Sequence, residues 1–256
     1  MLVMKLISMP ASTAESLAQR KCARGARYSR RLKGLKMRKV KKKRDKELWS
    51  PLLVKVFKNF KTPNDIQLYL NKLKYNSVCE FSSPEQVIKN KKANCTEGAF
   101  LGAAALRFLG FKPLVTYILA SPNDDDHFLA VFKRNDCWGA VSKSNYSVLR
   151  YREPVYKNLR ELVMSYFDAY FNSIGQKTMR AYTVQVNLER FDKYNWMTTK
   201  KDVSFIGDYF DTVKQYEVLD KRIIRSLSPV DEELLEGALM HSDRSGLFKP
   251  KKKMVK

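Results

Sequence analysis

One stretch constrains this chain more than any other: Lys92-Ala93-Asn94-Cys95-Thr96-Glu97-Gly98-Ala99-Phe100-Leu101-Gly102-Ala103-Ala104-Ala105-Leu106-Arg107-Phe108-Leu109-Gly110. From Thr96 to Leu109 the Ala- and Leu-rich pattern predicts a helix, ended by Gly110, which readily adopts the left-handed conformation of a helix exit. Gly98, Gly102, Ala103, Ala104 and Ala105 let neighbouring elements approach closely, and only Glu97 and Arg107 carry charge. A helix without a charged face belongs in the middle of a domain. Cys95 falls at its first residues, where unpaired backbone N–H groups and the positive end of the helix dipole favour thiolate over thiol. The expectation is a cysteine of lowered pKa, suited to nucleophilic attack.

Other signals supply the elements around it. Ser50-Pro51 opens an apolar segment through Phe60, and Thr62-Pro63 caps a helix with Ile66, Tyr69, Leu70 and Leu73 on one face. Ser83-Pro84-Glu85-Gln86 reads as a capping box with Gln86 at its third helical position. Pro113 to Ala120 reads as a buried strand, and residues 121–126, ending in Asp124-Asp125-Asp126, as a turn. His127–Lys133 and Cys137–Ser142, joined by Arg134-Asn135-Asp136, make an antiparallel hairpin. Alternation puts His127, Leu129 and Val131 on one face and Phe128, Ala130 and Phe132 on the other, so His127 starts a half-buried strand. Leu159, Leu162, Val163, Tyr166, Phe167, Tyr170 and Phe171 mark a long amphipathic helix whose aromatic stripe is core. Ala181–Leu188 alternates as a strand with one wet face, and Ser228-Pro229 opens a further helix with Asp231, Glu232 and Glu233 in its first turn.

The net charge of +23 is mostly terminal. Residues 1–46 hold sixteen Lys and Arg against Glu15 and Asp45, and residues 249–256 add five Lys, which leaves about +4 for everything between. The basic stretch 10–46 reads as a solvated tail, as an arm for RNA, DNA or another polyanion bound by charge without sequence preference, or as a localisation signal. Cys22, Cys79, Cys95 and Cys137 form no Cys-x-x-Cys pair and have no histidine at ligand spacing, which argues against a zinc site. No stretch has transmembrane length, so the expectation is a soluble, cytoplasmic chain with reduced thiols and no membrane partner.

The order of the chemistry-bearing residues is informative. A helix-start cysteine followed by a strand-borne histidine is a nucleophile and base, in which imidazole accepts the thiol proton and the ion pair keeps sulfur reactive. His241 lies in a polar segment, so His127 is the candidate base. Ala93-Asn94-Cys95-Thr96-Glu97-Gly98-Ala99, the closing Leu109-Gly110, His127 opening a strand and Trp138 on the next strand resemble the transglutaminase-like superfamily, a branch of the papain-like fold, over roughly residues 63–145. The resemblance is nearest to uncharacterised bacterial members and brings no known substrate. It implies Cys95 as the acyl-accepting nucleophile, His127 as general acid and base, and the Cys95 N–H as an oxyanion donor.

Such families usually place an aspartate at the end of the tryptophan-bearing strand, to orient the histidine. Here Ser142 stands there, and either its hydroxyl or the Asn145 amide is expected to fix the imidazole without supplying charge. The expected fold is α+β: a papain-like core at 49–190, its Cys-bearing helix packed on an antiparallel sheet, with helical additions over 191–247, a basic N-terminal arm at 1–48 and a basic tail at 248–256. The expected function is a cysteine-dependent hydrolase or acyl transferase for peptide or protein amides, needing no cofactor. Its rival is a non-catalytic binding module with a polyanion-binding arm. Oligomeric state stays open.

Overall fold

The computed structural model describes residues 48–78 and 81–250. The readings of the arm at 1–47, of Cys22 and Cys79 and of the lysine run 251–253 lie outside the described residues. α1 (Pro51–Phe57) takes Ser50 as its N-cap, whose hydroxyl accepts the Leu53 N–H at 3.3 Å. α2 (Pro63–Lys72) has a reciprocal capping box, in which Thr62 Oγ1 accepts the Asp65 N–H and Asp65 Oδ2 accepts the Thr62 N–H at 2.8 Å. Its face of Ile66, Leu70 and, just beyond, Leu73 is buried. β1 (Lys74–Tyr75), α3 (Pro84–Asn90) and β2 (Lys92–Ala93) follow, with β1 and β2 paired in parallel. Ser83 does not cap α3 through its side chain. Its hydroxyl donates to the Thr199 carbonyl at 2.6 Å, a long-range tether in place of the expected box, and Gln86 Nε2 is buried with no partner among the described residues.

α4 (Cys95–Phe108) is the central helix, with Gly110 at φ +91° beyond its end. After it come β3 (Leu114–Ala120), β4 (His127–Arg134), β5 (Cys137–Val141) and β6 (Arg152–Tyr156), then α5 (Leu159–Met164), β7 (Met179–Thr183) and β8 (Val186–Asn187). α6 (Ser204–Phe210), β9 (Gln215–Glu217), α7 (Lys221–Ser226) and α8 (Glu232–Leu239) are the last α-helices and strand among the described residues. Strands β3 to β9 form an antiparallel sheet in the order β6-β5-β4-β3-β7-β9, with β8 pairing the other end of β3. The molecule is therefore α+β, with helices laid on an antiparallel sheet. Asn135 and Asp136, at φ 49° and 60°, give the β4–β5 hairpin the doubly left-handed turn that matches strand twist.

α4 lies on one face of the sheet, buried from Thr96 to Leu106, and meets Phe128, Ala130 and Phe132 of β4 in a first core. A Cβ on Gly102 would come within 2.9 Å of Val141 Cγ2, and one on Gly98 within 2.2 Å of Lys143 Cβ, so both glycines set how closely β5 and its following loop approach. At the far end, Arg107 donates two hydrogen bonds to Asp192, at 2.7 and 2.9 Å, and Trp196 Nε1 donates to the same carboxylate at 3.1 Å. That cluster ties the 3₁₀ turn Leu188–Tyr194 to the helix.

Several expectations need correction, each for a non-local reason. β4 is buried on both faces, not one, because Leu129 and Val131 enter a second core with Leu162, Tyr166, Tyr170, Ala238 and Leu247. The helix expected over 159–171 stops at Met164. Ser165 Oγ donates to the Leu162 carbonyl at 2.6 Å, and Arg152 donates to both Ser165 Oγ and the Ser165 carbonyl. The aromatic stripe stays in the core, with Tyr166, Tyr170 and Phe171 buried. The strand expected over 181–188 is split into β7 and β8, and its wet face is dry at Thr183, whose Oγ1 accepts the Tyr117 N–H at 3.1 Å while its carbonyl accepts the Thr116 hydroxyl at 2.8 Å.

The segment 191–247 is not a purely helical addition either. β9 joins the sheet, and Trp196, Ile206 and Phe210 are fully buried in the first core. Phe248, assigned to the tail from sequence, is buried. α8 begins after its N-cap Asp231, later than Ser228-Pro229 suggests. Among the described residues no helix is long and apolar enough to cross a membrane.

Candidate active site

The site begins at the first residue of α4. Asn94 Oδ1 accepts the Glu97 N–H, and Glu97 returns a carboxylate oxygen to the Asn94 N–H, both at 2.9 Å. The same carboxylate, fully buried, also accepts from Asn76 Nδ2 at 2.9 Å and from the Ser82 N–H at 3.0 Å. Glu97 therefore ties two loops to the start of the helix. Its Asn-x-x-Glu spacing is the capping signal that announces this role in the sequence.

Cys95 is half-buried behind that cap. Its S–H donates to the Asp126 carbonyl across 3.8 Å, and the Thr96 hydroxyl lies 3.9 Å from the sulfur. Burial, joined by the negative charge of Asp125, pushes the thiol up to about 11, against smaller opposite effects of the Thr96 hydroxyl and of backbone N–H groups at Phe128 and Thr96. The expected lowering at the helix start is thus corrected: desolvation and a neighbouring carboxylate outweigh the helix dipole, and the resting sulfur is a neutral thiol.

His127, the first residue of β4, is buried. Its Nε2 lies 3.2 Å from the Leu149 carbonyl oxygen and 3.4 Å from Ser142 Oγ, while Ser142 Oγ itself donates to the Leu149 carbonyl at 2.7 Å. A carbonyl only accepts, so this network assigns the ring proton to Nε2 and leaves the lone pair on Nδ1. Burial lowers the imidazole to about 4, opposed by the Leu149 hydrogen bond and aided by the positive charge of Arg152. The ion pair expected from sequence is therefore replaced by two neutral groups, with no hydrogen bond between Cys95 Sγ and the imidazole.

Cys95 and His127 nevertheless line one cavity of about 100 Å³, together with Asp124, Asp125, Tyr146 and Tyr170. Ser142 meets the imidazole from the side opposite the lone pair. Asn145 does not: its Nδ2 donates to the Asp243 carbonyl at 2.8 Å and its Oδ1 accepts the Asp243 N–H at 2.7 Å, so the C-terminal segment occupies the amide. Gly246 and Phe248 of that segment also wall the cavity. Neither they nor the Leu149 carbonyl carry a local sequence signal, and the sequence reading missed them.

The three aspartates play different parts. Asp126 Oδ2 accepts the Tyr117 hydroxyl and Oδ1 the Ala120 N–H, both at 2.6 Å, which pins the turn that delivers His127. Asp124 accepts the Thr178 hydroxyl and, at 2.8 Å, the Asp125 N–H; burial raises it to about 7. Burial and the two neighbouring carboxylates raise Asp125 to about 8. Among the described residues no group of three or more His, Cys, Asp or Glu side chains is arranged to hold a metal ion. Compared with known proteins, the sequence matches neither a protein family nor a curated protein.

Proposed function

We propose that the chain is a thiol-dependent amide hydrolase or acyl transferase with a papain-like core of the transglutaminase-like kind. One observation carries this reading: the first residue of α4, Cys95, and the first residue of β4, His127, line one cavity, with the imidazole held from behind by Ser142 and Leu149. Because the resting groups are both neutral, the chemistry is general-base attack rather than attack by a preformed thiolate. Substrate binding turns the S–H from the Asp126 carbonyl toward His127 Nδ1, which takes the proton as sulfur bonds to the amide carbon.

The oxyanion develops at the N-terminus of α4, where the Cys95 N–H is its donor. The imidazolium formed at that moment is held through Nε2–H by the Leu149 carbonyl and the Ser142 oxygen. It then gives its proton to the leaving nitrogen, and the C–N bond breaks to leave a thioester on Cys95. Water or an amine attacks the thioester with His127 again accepting a proton, and the thiol departs. Among the described residues no carboxylate hydrogen-bonds the imidazole, so turnover is slow relative to a Cys-His-Asp enzyme.

A peptidyl chloromethyl ketone tests this reading on the full chain, with peptide mass spectrometry to find the label. The expected label is on Cys95 and is lost in Cys95→Ala; labelling confined to the other cysteines would end the proposal. A second reading is favoured by one observation, the S–H committed to the Asp126 carbonyl instead of to the imidazole. In it the fold binds without turnover while residues 10–46 hold RNA or another polyanion. Deleting residues 1–46 would then abolish salt-sensitive RNA binding and leave the cavity unused for acylation.

A further inference from the structure

We propose that Arg152 and Tyr166 are positioning residues for His127: together they fix the turn 148–151 so that the carbonyl of Leu149 points at the imidazole. This rests on the reading of His127 as general acid and base, and deepens it by naming what holds the ring in place of the usual carboxylate. Neither side chain lines the Cys95 cavity, so neither meets the substrate.

The consecutive carbonyls of this turn are each engaged. Val148 accepts from Arg152 Nη2 at 3.2 Å, Arg150 from the Tyr166 hydroxyl at 2.8 Å and Tyr151 from Arg152 Nη1 at 2.9 Å. Leu149, between them, meets His127 Nε2 at 3.2 Å and accepts the Ser142 hydroxyl at 2.7 Å. Beyond the single 3₁₀ turn Ser147–Leu149 no helix repeats to set the direction of these carbonyls, so the bonds to the neighbours on both sides aim the one in the middle. The Leu149 side chain, buried in the second core, anchors the same residue.

Arg152 is spent on this clamp. It belongs to none of the ion pairs among the described residues. Besides Val148 and Tyr151 its guanidinium reaches Ser165, through Nε to Oγ at 3.1 Å and through Nη2 to the carbonyl at 3.2 Å. Its Cζ lies 3.9 Å from the centroid of the Tyr166 ring, a cation–π contact with the residue whose hydroxyl holds Arg150. α5 supplies this half of the clamp because it stops at Met164 and leaves Ser165 and Tyr166 to meet the turn. A flat guanidinium fork satisfies several separated oxygens at once, whereas an ammonium concentrates its donors at one point. The positive charge of Arg152 opposes an imidazolium, so what it supplies to the acid–base step is geometry.

NMR of the full chain carrying ¹⁵N-labelled histidine tests the proposal, and because His127 and His241 are the only histidines, His241→Gln assigns the spectrum. At pH 7.5 His127 should show one tautomer, protonated on Nε2, with its ring proton in slow exchange with water. Arg152→Lys keeps the charge and loses the fork, and should speed that exchange about tenfold or more, the scale of one lost hydrogen bond. Tyr166→Phe keeps the ring under the guanidinium and loses only the hydroxyl, and should speed it several-fold; it decides the matter if Arg152→Lys does not fold. Arg107→Lys, at the far end of α4, controls for structure alone: it should lower the melting temperature and leave the His127 proton unmoved. A native ring protonated on Nδ1, native exchange in Arg152→Lys, or an equal effect from Arg107→Lys would overturn the proposal. If Cys95 takes no acyl group while the Nε2 proton is protected and depends on Arg152, the acyl reading fails and the positioning stands.

Discussion

Alkylation of Cys95 by iodoacetamide, followed across pH in native protein and in Asp125→Asn, reads the environment of the sulfur directly. The thiol is pushed from its ordinary 9.0 up to about 11. At pH 7.5 that lowers the thiolate fraction roughly 100-fold, while the greater intrinsic nucleophilicity of a more basic thiolate returns about tenfold, so Cys95 should react about tenfold slower than an unperturbed cysteine. Asp125 contributes to this only when ionised, and it titrates at about 8. The native and Asp125→Asn profiles should therefore coincide below about pH 7 and separate above pH 8, the variant reacting several-fold faster. The assay is quench-flow alkylation with quantification of the Cys95 peptide. A native Cys95 that alkylates as fast as free cysteine, with a midpoint below 9, would refute the burial argument; superimposed profiles at pH 9 would refute the role given to Asp125.

Other outcomes follow from the same geometry. Ser142→Asp puts a charge beside Nε2–H in place of a hydroxyl, and should raise the His127 pKa from about 4 and speed thioester formation about tenfold, seen as a shift of the acidic limb of the pH–rate profile. Asp125 has a folded pKa above its unfolded one, so its carboxyl favours the native state at low pH and loses that advantage as pH rises through 8. Asp125→Asn should accordingly be more stable than native by roughly 2–4 kcal/mol at pH 8.5, with the gap closing toward pH 4 in urea titrations. Gly98→Ala gains about 1 kcal/mol of helix propensity but drives a Cβ to 2.2 Å from Lys143, so the clash should prevail and cost about 2 kcal/mol net or more by urea denaturation. Arg107→Ala leaves the half-buried Asp192 carboxylate without its cation, with the Trp196 N–H still donating to it, and should cost about 2–4 kcal/mol in the same measurement.

What the sequence made legible was local. The small residues of α4 and Gly110 state their roles within a few positions, Asn135-Asp136 does the same for the hairpin, and the Asn94–Glu97 spacing carries a capping signal that the sequence reading left unused. Cys95, His127 and Ser142 could be brought together on paper because each sits at the end of such an element. The unreadable parts depend on distant segments. β4 looked half-buried because the residues that cover its second face come from 159–171 and 238–247. The same covering desolvates His127, which is why the imidazole is held neutral where sequence logic expected a cation. Asp125 was read as a turn former, yet its negative charge adds to burial in pushing the Cys95 thiol up, against the sign expected from the helix dipole. Asn145 was lost to Asp243, nearly a hundred residues away, a competition that no spacing rule anticipates.

Burst kinetics with p-nitrophenyl acetate, combined with intact-mass detection of the acetylated chain, test whether Cys95 and His127 act as nucleophile and base. The native protein should accumulate one acetyl group, mapped to Cys95, and His127→Ala should form it at least about 100-fold more slowly, the scale of a lost general base. An acetyl-thioester that forms on Cys95 at the same rate in native protein and His127→Ala, or one that never forms on Cys95, would contradict the account.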